Sequence, residues 1–200
     1  MPPSLQSRLR HAFRSTLVLR PRDLAAHGIN RVQIGAAVKA GSLERVGRGL
    51  YMRPGAPVTA QHTLAEVAAR IPNGVFCLLT ALRFHELGTQ NPGEVWVAIG
   101  PKAWRPRPHN VRLRIFHFSG AALHEGCEAH VVEGVPIRVY DPAKTVADCF
   151  KFRHKLGLDV ALEALRETWR ARRATMKDLT HYARVCRVAR VMQPYLEGLT

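Results

Sequence analysis

Glycine and proline cut the first quarter of the chain into pieces that suit only short helices and one small hairpin. Ser4 is placed to cap a helix through Phe13, whose Leu5, Leu9, Ala12 and Phe13 share one face. Leu17-Val18-Leu19 is extended. Pro21 suits the first turn of a helix through Ala26, which Gly28 ends. Asn30 then caps a third helix, Arg31 to Ala40, with Ile34, Ala37 and Val38 inward and Gly41 as its stop. Two short helices joined by a three-residue turn containing glycine make a helix-turn-helix. Residues 42–53 read as a hairpin turning at Gly47-Arg48-Gly49, which is a small wing. Pro54-Gly55-Ala56-Pro57 reads as a linker. The expected organisation is a winged helix-turn-helix over 1–55 and a second domain over 56–200.

That second domain mixes its elements. A helix is expected around Gln61–Arg70, and Thr80 is expected to cap another from Ala81 to Leu87. Glu94–Ile99 reads as a strand with Trp96 in the core. Val111–Phe118 alternates, with Val111, Leu113 and Ile115 on one side and Arg112 and Arg114 on the other. His130–Tyr140 reads as a hairpin turning at Glu133-Gly134. Asp141-Pro142 opens a helix, with Asp at the cap and Pro at the first position. Helices near 158–170, 176–185 and 188–196 finish the chain. The fold class is therefore α+β: a winged helix-turn-helix followed by a mixed α+β domain ending in helices.

Charge narrows the function. Thirty Lys and Arg face 15 Asp and Glu, a formal net charge of +15, and the first 55 residues hold ten basic residues against Asp23 and Glu44. Such a balance points to a polyanion partner. In a helix-turn-helix the third helix enters the major groove, its first residues at the base edges. Asn30, Arg31 and Gln33 have side chains that match base edges, and Val32 suits a thymine methyl group. Arg20, Arg22 and Lys39 suit phosphates. Arg48 sits at the wing tip, for a minor groove or a phosphate, with Arg45 and Arg53 beside it. The other reading of these residues is a set of solvated charges on a protein-contact surface.

No apolar run approaches the roughly 20 residues that span a bilayer, and the N-terminus has no apolar stretch of a secretory signal. Cys77, Cys127, Cys149 and Cys186 are far apart, which suits reduced thiols in a cytoplasmic protein. His124, Cys127 and His130 have tight spacing but no second ligand pair, so no metal or cofactor is expected. His85-Glu86 lacks the second histidine of a zinc protease helix. Asp141, Lys144 and Glu133 mimic a nuclease set, but a helix cap explains Asp141 more simply, and no enzyme is expected. Trp104 lies in a basic loop with Arg105 and Arg107, where it either stacks on a partner or packs on its own domain. The C-terminal helices are also basic; the sequence leaves open whether they meet phosphates, an acidic protein or a second copy. A homodimer on DNA is one arrangement, although no coiled-coil seam is present.

The run from Gly28 through Gly41-Ser42-Leu43-Glu44-Arg45-Val46-Gly47-Arg48-Gly49-Leu50-Tyr51 resembles the winged helix of AbiEi-type antitoxins. Thr80-Ala81-Leu82 with His85-Glu86-Leu87, and Val135 to Asp148 with its Pro-Ala-Lys-Thr helix start, are similar to the rest of that family. The resemblance extends from about residue 15 onward. It implies a transcriptional repressor of its own toxin–antitoxin operon, bound to double-stranded operator DNA and paired with a nucleotidyltransferase toxin. By position it implies that Arg31, Gln33, Arg45 and Arg48 contact DNA. Gly35 and Ala36 depart from it, standing where bulky basic residues are expected on the exposed face of the third helix.

Overall fold

A computed structural model describes residues 3–103 and 111–199. The Trp104, Arg105 and Arg107 loop lies outside the described residues. The described residues form two compact units, one of residues 3–73, 111–112 and 129–137, the other of residues 74–103, 113–128 and 138–199.

In the first unit, α1 (Leu5–Ala12) starts where the Ser4 hydroxyl accepts from the Ser7 amide at 3.2 Å. Next come α2 (Pro21–Ala26) and α3 (Arg31–Lys39). Leu9, Ala12, Phe13, Leu19, Leu24, Ile29, Ile34, Ala37 and Leu43 form their common core. Gly41 takes φ +68°, and the Ser42 amide returns to the Ala37 carbonyl at 2.8 Å, so the chain reverses within two residues of the helix end. It then runs directly into the wing, β1 (Glu44–Gly47) and β2 (Leu50–Met52), paired antiparallel. Leu19 adds a third rung: its amide and carbonyl exchange hydrogen bonds with Tyr51 at 3.0 and 2.9 Å.

This unit extends beyond the Pro-Gly-Ala-Pro segment. Helix α4 (His62–Arg70) packs against β2. Its Arg70 guanidinium reaches so close to Gly47 that a Cβ there would lie 1.7 Å away, and Glu66 holds Arg70 at 2.6 Å. A further piece arrives from far along the chain. The tip Glu133-Gly134 has positive φ at both residues (52° and 75°), the geometry of a tight two-residue hairpin turn. Gly134 lies against the Ser15 carbonyl, where a Cβ would come within 1.7 Å, and the Glu133 carbonyl accepts from the Leu17 amide at 2.9 Å. The buried Glu133 carboxylate takes the Thr59 amide at 2.6 Å and His62 Nδ1 at 2.7 Å. Burial works against its ionisation, yet these bonds hold its pKa below the ordinary glutamate value.

The second unit holds β3 (Val75–Phe76), α5 (Leu78–Phe84), β4 (Val95–Ile99), β5 (Leu113–His117), α6 (Ala121–His124) and the outer ends of β6 (Cys127–Val132) and β7 (Val135–Tyr140), whose residues 129–137 belong to the first unit. The strand order is β5-β4-β3-β7-β6; β4 runs parallel to β5 and antiparallel to β3, and β3 runs parallel to β7. Helices α7 (Pro142–Lys151), α8 (Arg153–Leu156), α9 (Leu158–Arg170), α10 (Met176–Val185) and α11 (Ala189–Glu197) follow. Helix α7 is the centre, packed by α5, α9 and α10. The architecture is α+β with a helix-turn-helix at its start.

Two local expectations are corrected. Thr80 is not a cap: α5 already begins at Leu78, and the buried Thr80 hydroxyl accepts from the Trp96 amide at 2.8 Å, fastening α5 to β4. On β5 the core side is the one with Phe116 and, just beyond the strand, Phe118; both are buried while Leu113 and Ile115 are half-exposed. Arg114 shares that side, where its guanidinium lies over the Trp96 ring, 4.5 Å from the centroid, and meets Glu94 at 3.2 Å.

Candidate nucleic-acid interface

All ten side chains singled out for DNA contact lie in the first unit. Helix α3 is held at its start by a reciprocal cap: Asn30 Oδ1 accepts from the Gln33 amide at 2.9 Å, and Gln33 Oε1 accepts from the Asn30 amide at 3.1 Å. Both residues therefore build the helix, and the amide nitrogens of their side chains are what remain to meet a base.

The outward face of α3 is Arg31, Val32, Gly35, Ala36 and Lys39, all exposed. Val32 is 81% exposed. No heavy atom lies within 4 Å of where a Gly35 Cβ would stand. A mid-helix glycine costs about 1 kcal/mol relative to alanine, and nothing inside the unit calls for it. The result is a helix whose backbone is bare at its centre, with a cation at each end.

The other basic residues divide into two groups. Arg48 at the turn, Arg45 on β1 and Arg53 just after β2 are exposed; Arg45 Nε bends back to the Gly47 carbonyl at 3.3 Å. Arg22 is mostly exposed, with Nε 3.7 Å from Asp23. Arg20 is different. It is tied to Asp23 at 2.8 and 3.2 Å and reaches the Ala69 carbonyl at 3.3 Å, so it braces α2 against the end of α4. Burial raises the Asp23 pKa, but the Arg20 bonds outweigh it and the carboxyl titrates below its ordinary value. The unit's carboxylates are largely spent this way: Asp23 on Arg20, Glu66 on Arg70, Glu133 on Thr59 and His62. Among the described residues Arg31, Arg45, Arg48 and Arg53 form no salt bridge.

Three supports escaped sequence reading. The Arg70–Glu66 brace under the wing was signalled only by i,i+4 spacing. Gln6 Nε2 donates to Ser42 Oγ at 2.8 Å, and the Arg8 guanidinium donates to the Gly28 carbonyl.

The nuclease-like residues each have another task. Asp141 caps α7 by accepting from the Lys144 amide at 2.8 Å; Lys144 is wholly buried and pairs with Asp148 at 2.6 Å; Glu133 belongs to the hairpin tip. Among the described residues no group of three His, Cys, Asp or Glu is placed to hold a metal. No described helix is long and apolar enough to cross a membrane.

Residues 7–54 match the family model described as transcriptional regulator, AbiEi antitoxin, the family that the sequence resembles. The match spans most of α1 to the end of the wing, the part of the unit that carries all ten side chains. No curated protein matches the chain.

Proposed function

We propose, from the AbiEi-type match and the outward face of α3, that the protein is a DNA-binding transcriptional regulator that represses its own toxin–antitoxin operon in the cytoplasm. The single observation that carries this reading is the family match over residues 7–54, which covers α3 and the wing with their exposed Arg31, Lys39, Arg45, Arg48 and Arg53. A bare backbone flanked by Arg31, Val32 and Lys39 suits the floor of a major groove. Arg31 offers a fork to guanine and Val32 an apolar contact to a thymine methyl group. Arg48 on the wing, with Arg45 and Arg53, serves phosphates or the neighbouring minor groove. Arg22 and Lys39 add phosphate contacts. The second unit is the part we assign to a nucleotidyltransferase toxin, on family resemblance alone. Homodimer formation on a palindromic operator belongs to the same proposal.

The test is anisotropy on the DNA upstream of the gene, at physiological salt, against random duplex. About a thousandfold preference for the upstream site is expected. Arg31→Ala is expected to cost about 1–3 kcal/mol and to relax base choice at one position. Arg48→Ala is expected to weaken binding to all sequences alike. Equal affinity for both DNAs, untouched by Arg31→Ala, would sink the operator reading.

A further inference from the structure

The second unit has a basic surface of its own, and local chemistry does not use it. Helix α10 turns Lys177, His181 and Arg184 to solvent, at i, i+4 and i+7, while Leu179 and Ala183 face inward. The chain enters α10 through exposed Arg172 and Arg173 and leaves it through exposed Arg187. The ridge from Lys177 to Arg184 spans about 10 Å at 1.5 Å per residue.

Nearby carboxylates do not neutralise it. Glu163 and Glu167 accept from the Thr89 and Gly88 amides. Asp178 turns back on Thr175, at 3.0 Å from its amide and 2.6 Å from its hydroxyl. Glu125 is the carboxylate that reaches the ridge, through His181 at 2.7 Å. The arginines and Lys177 form no salt bridge or side-chain hydrogen bond among the described residues.

Two of these arginines stand where the fold asks for something else. Helix α9 ends with the Arg173 amide on Thr168 and the Arg172 amide on Trp169, both at 3.0 Å. Helix α10 ends with the Val188 amide on Ala183 at 2.8 Å and the Arg187 amide on Arg184 at 2.9 Å. In this closing motif one residue adopts left-handed backbone, and glycine is the residue that does so without strain. Here it is Arg172 at φ 51° and Arg187 at φ 60°. Helix α5 closes in the same way on Glu86 at φ 58°, with the Leu87 amide on Leu82 at 2.8 Å, so the conformation itself is not peculiar to this ridge.

We propose that this ridge is a second, sequence-blind binding surface for the phosphate backbone of duplex DNA. A phosphate chain asks only for charge and N–H donors, which arginine forks supply in pairs. A protein partner would call for an apolar or aromatic centre. The large exposed apolar residues described are Val32, Val58, Val131 and Leu158, and none is on the ridge. The proposal is independent of the operator reading, because phosphate contacts carry no sequence information.

The experiment uses the full chain and a random 30-base-pair duplex, with affinity measured across a potassium chloride series. Arg172→Gly with Arg187→Gly removes two charges and relieves both left-handed arginines, so Tm should hold or rise. The slope of log affinity on log salt should fall by about 1.8, at about 0.9 per lost phosphate contact. Lys177→Gln with Arg184→Gln should do the same without touching the backbone. The preference for upstream over random DNA should survive both changes. Arg83→Gln with Lys102→Gln, exposed charges elsewhere in the same unit, is the control and should leave the slope in place. A parental slope in both ridge variants, or an equal loss in the control, would overturn the proposal; a parental slope would leave the ridge to an acidic protein.

Discussion

Helices α3 and α7 begin alike and end up opposite. Each starts at an Asn or Asp whose side chain accepts the amide three residues on, and each carries a basic residue within its first three positions, Arg31 or Lys144. In α3 only Ile34 and Ala37 are buried; in α7 every residue from Pro142 to Phe150 is. Arg31 stands in solvent. Lys144 is fully enclosed, its Nζ 2.6 Å from Asp148 and 4.1 Å from the centroid of the Tyr140 ring. Burial pushes the Asp148 carboxyl above the ordinary range, while Lys144 and a bond from Cys186 pull it back. A cap fixes where a helix starts. It does not fix what the first turn meets, and packing decides whether a cation there is a tie or a tool.

The sharpest way to break this contrast is at Lys144. Lys144→Met strands a buried carboxylate and should cost about 3–5 kcal/mol, read by urea unfolding with near-ultraviolet dichroism. Adding Asp148→Leu should restore most of that, since an apolar pair of similar volume can replace a buried ion pair. If the single change is harmless, Lys144 is not the tie described above.

A smaller effect is expected in the first unit, at Glu133. Its folded pKa lies below its ordinary value, so its contribution is complete at pH values above about 4.5 and is lost as pH falls through the lower, folded value. Glu133→Gln should therefore remove about 1–3 kcal/mol at pH 7, the worth of hydrogen bonds to a charged group, and nothing in strong acid. Amide exchange at Thr59, whose N–H the carboxylate holds, reports it locally. A pH-independent difference would mean that the charge is not what matters.

The mildest change sharpens the other side. Gly35→Ala should stabilise α3 by about 1 kcal/mol, because the site is open and alanine is the better helix former. It should also weaken binding to upstream DNA. A gain in Tm with unchanged binding would mean that nothing approaches the bare turn closely.

Much of this fold is readable because local rules act alone at helix starts and tight turns. Ser4, Asn30 and Asp141 cap as their chemistry demands, and Glu133-Gly134 turns as such pairs do. The misses come where a distant neighbour overrides the local pattern. Thr80 has the look of a cap, but a strand amide 16 residues away takes its hydroxyl. Arg114 marks the polar side of β5 by composition, yet Trp96 gives its guanidinium a ring to lie over, and the buried face is the arginine's own. At the site, exposure of Arg31, Lys39, Arg45, Arg48 and Arg53 follows from the pattern, whereas Arg20 is spoken for by Asp23 three residues on, a spacing visible in the sequence. That a hairpin tip from beyond residue 130 would complete the first unit has no local sign at all. Only the unit's packing, with Gly134 on Ser15, creates it.

That last contact sets a schedule for the newborn protein. Domains generally fold as they emerge during synthesis, N-terminal first. Here the segment that seats Ser15 to Leu17 and fastens Thr59 and His62 is translated more than a hundred residues after Ser15. The first unit is thus finished late, and a ribosome that stalls before residue 133 releases a winged helix without its clasp.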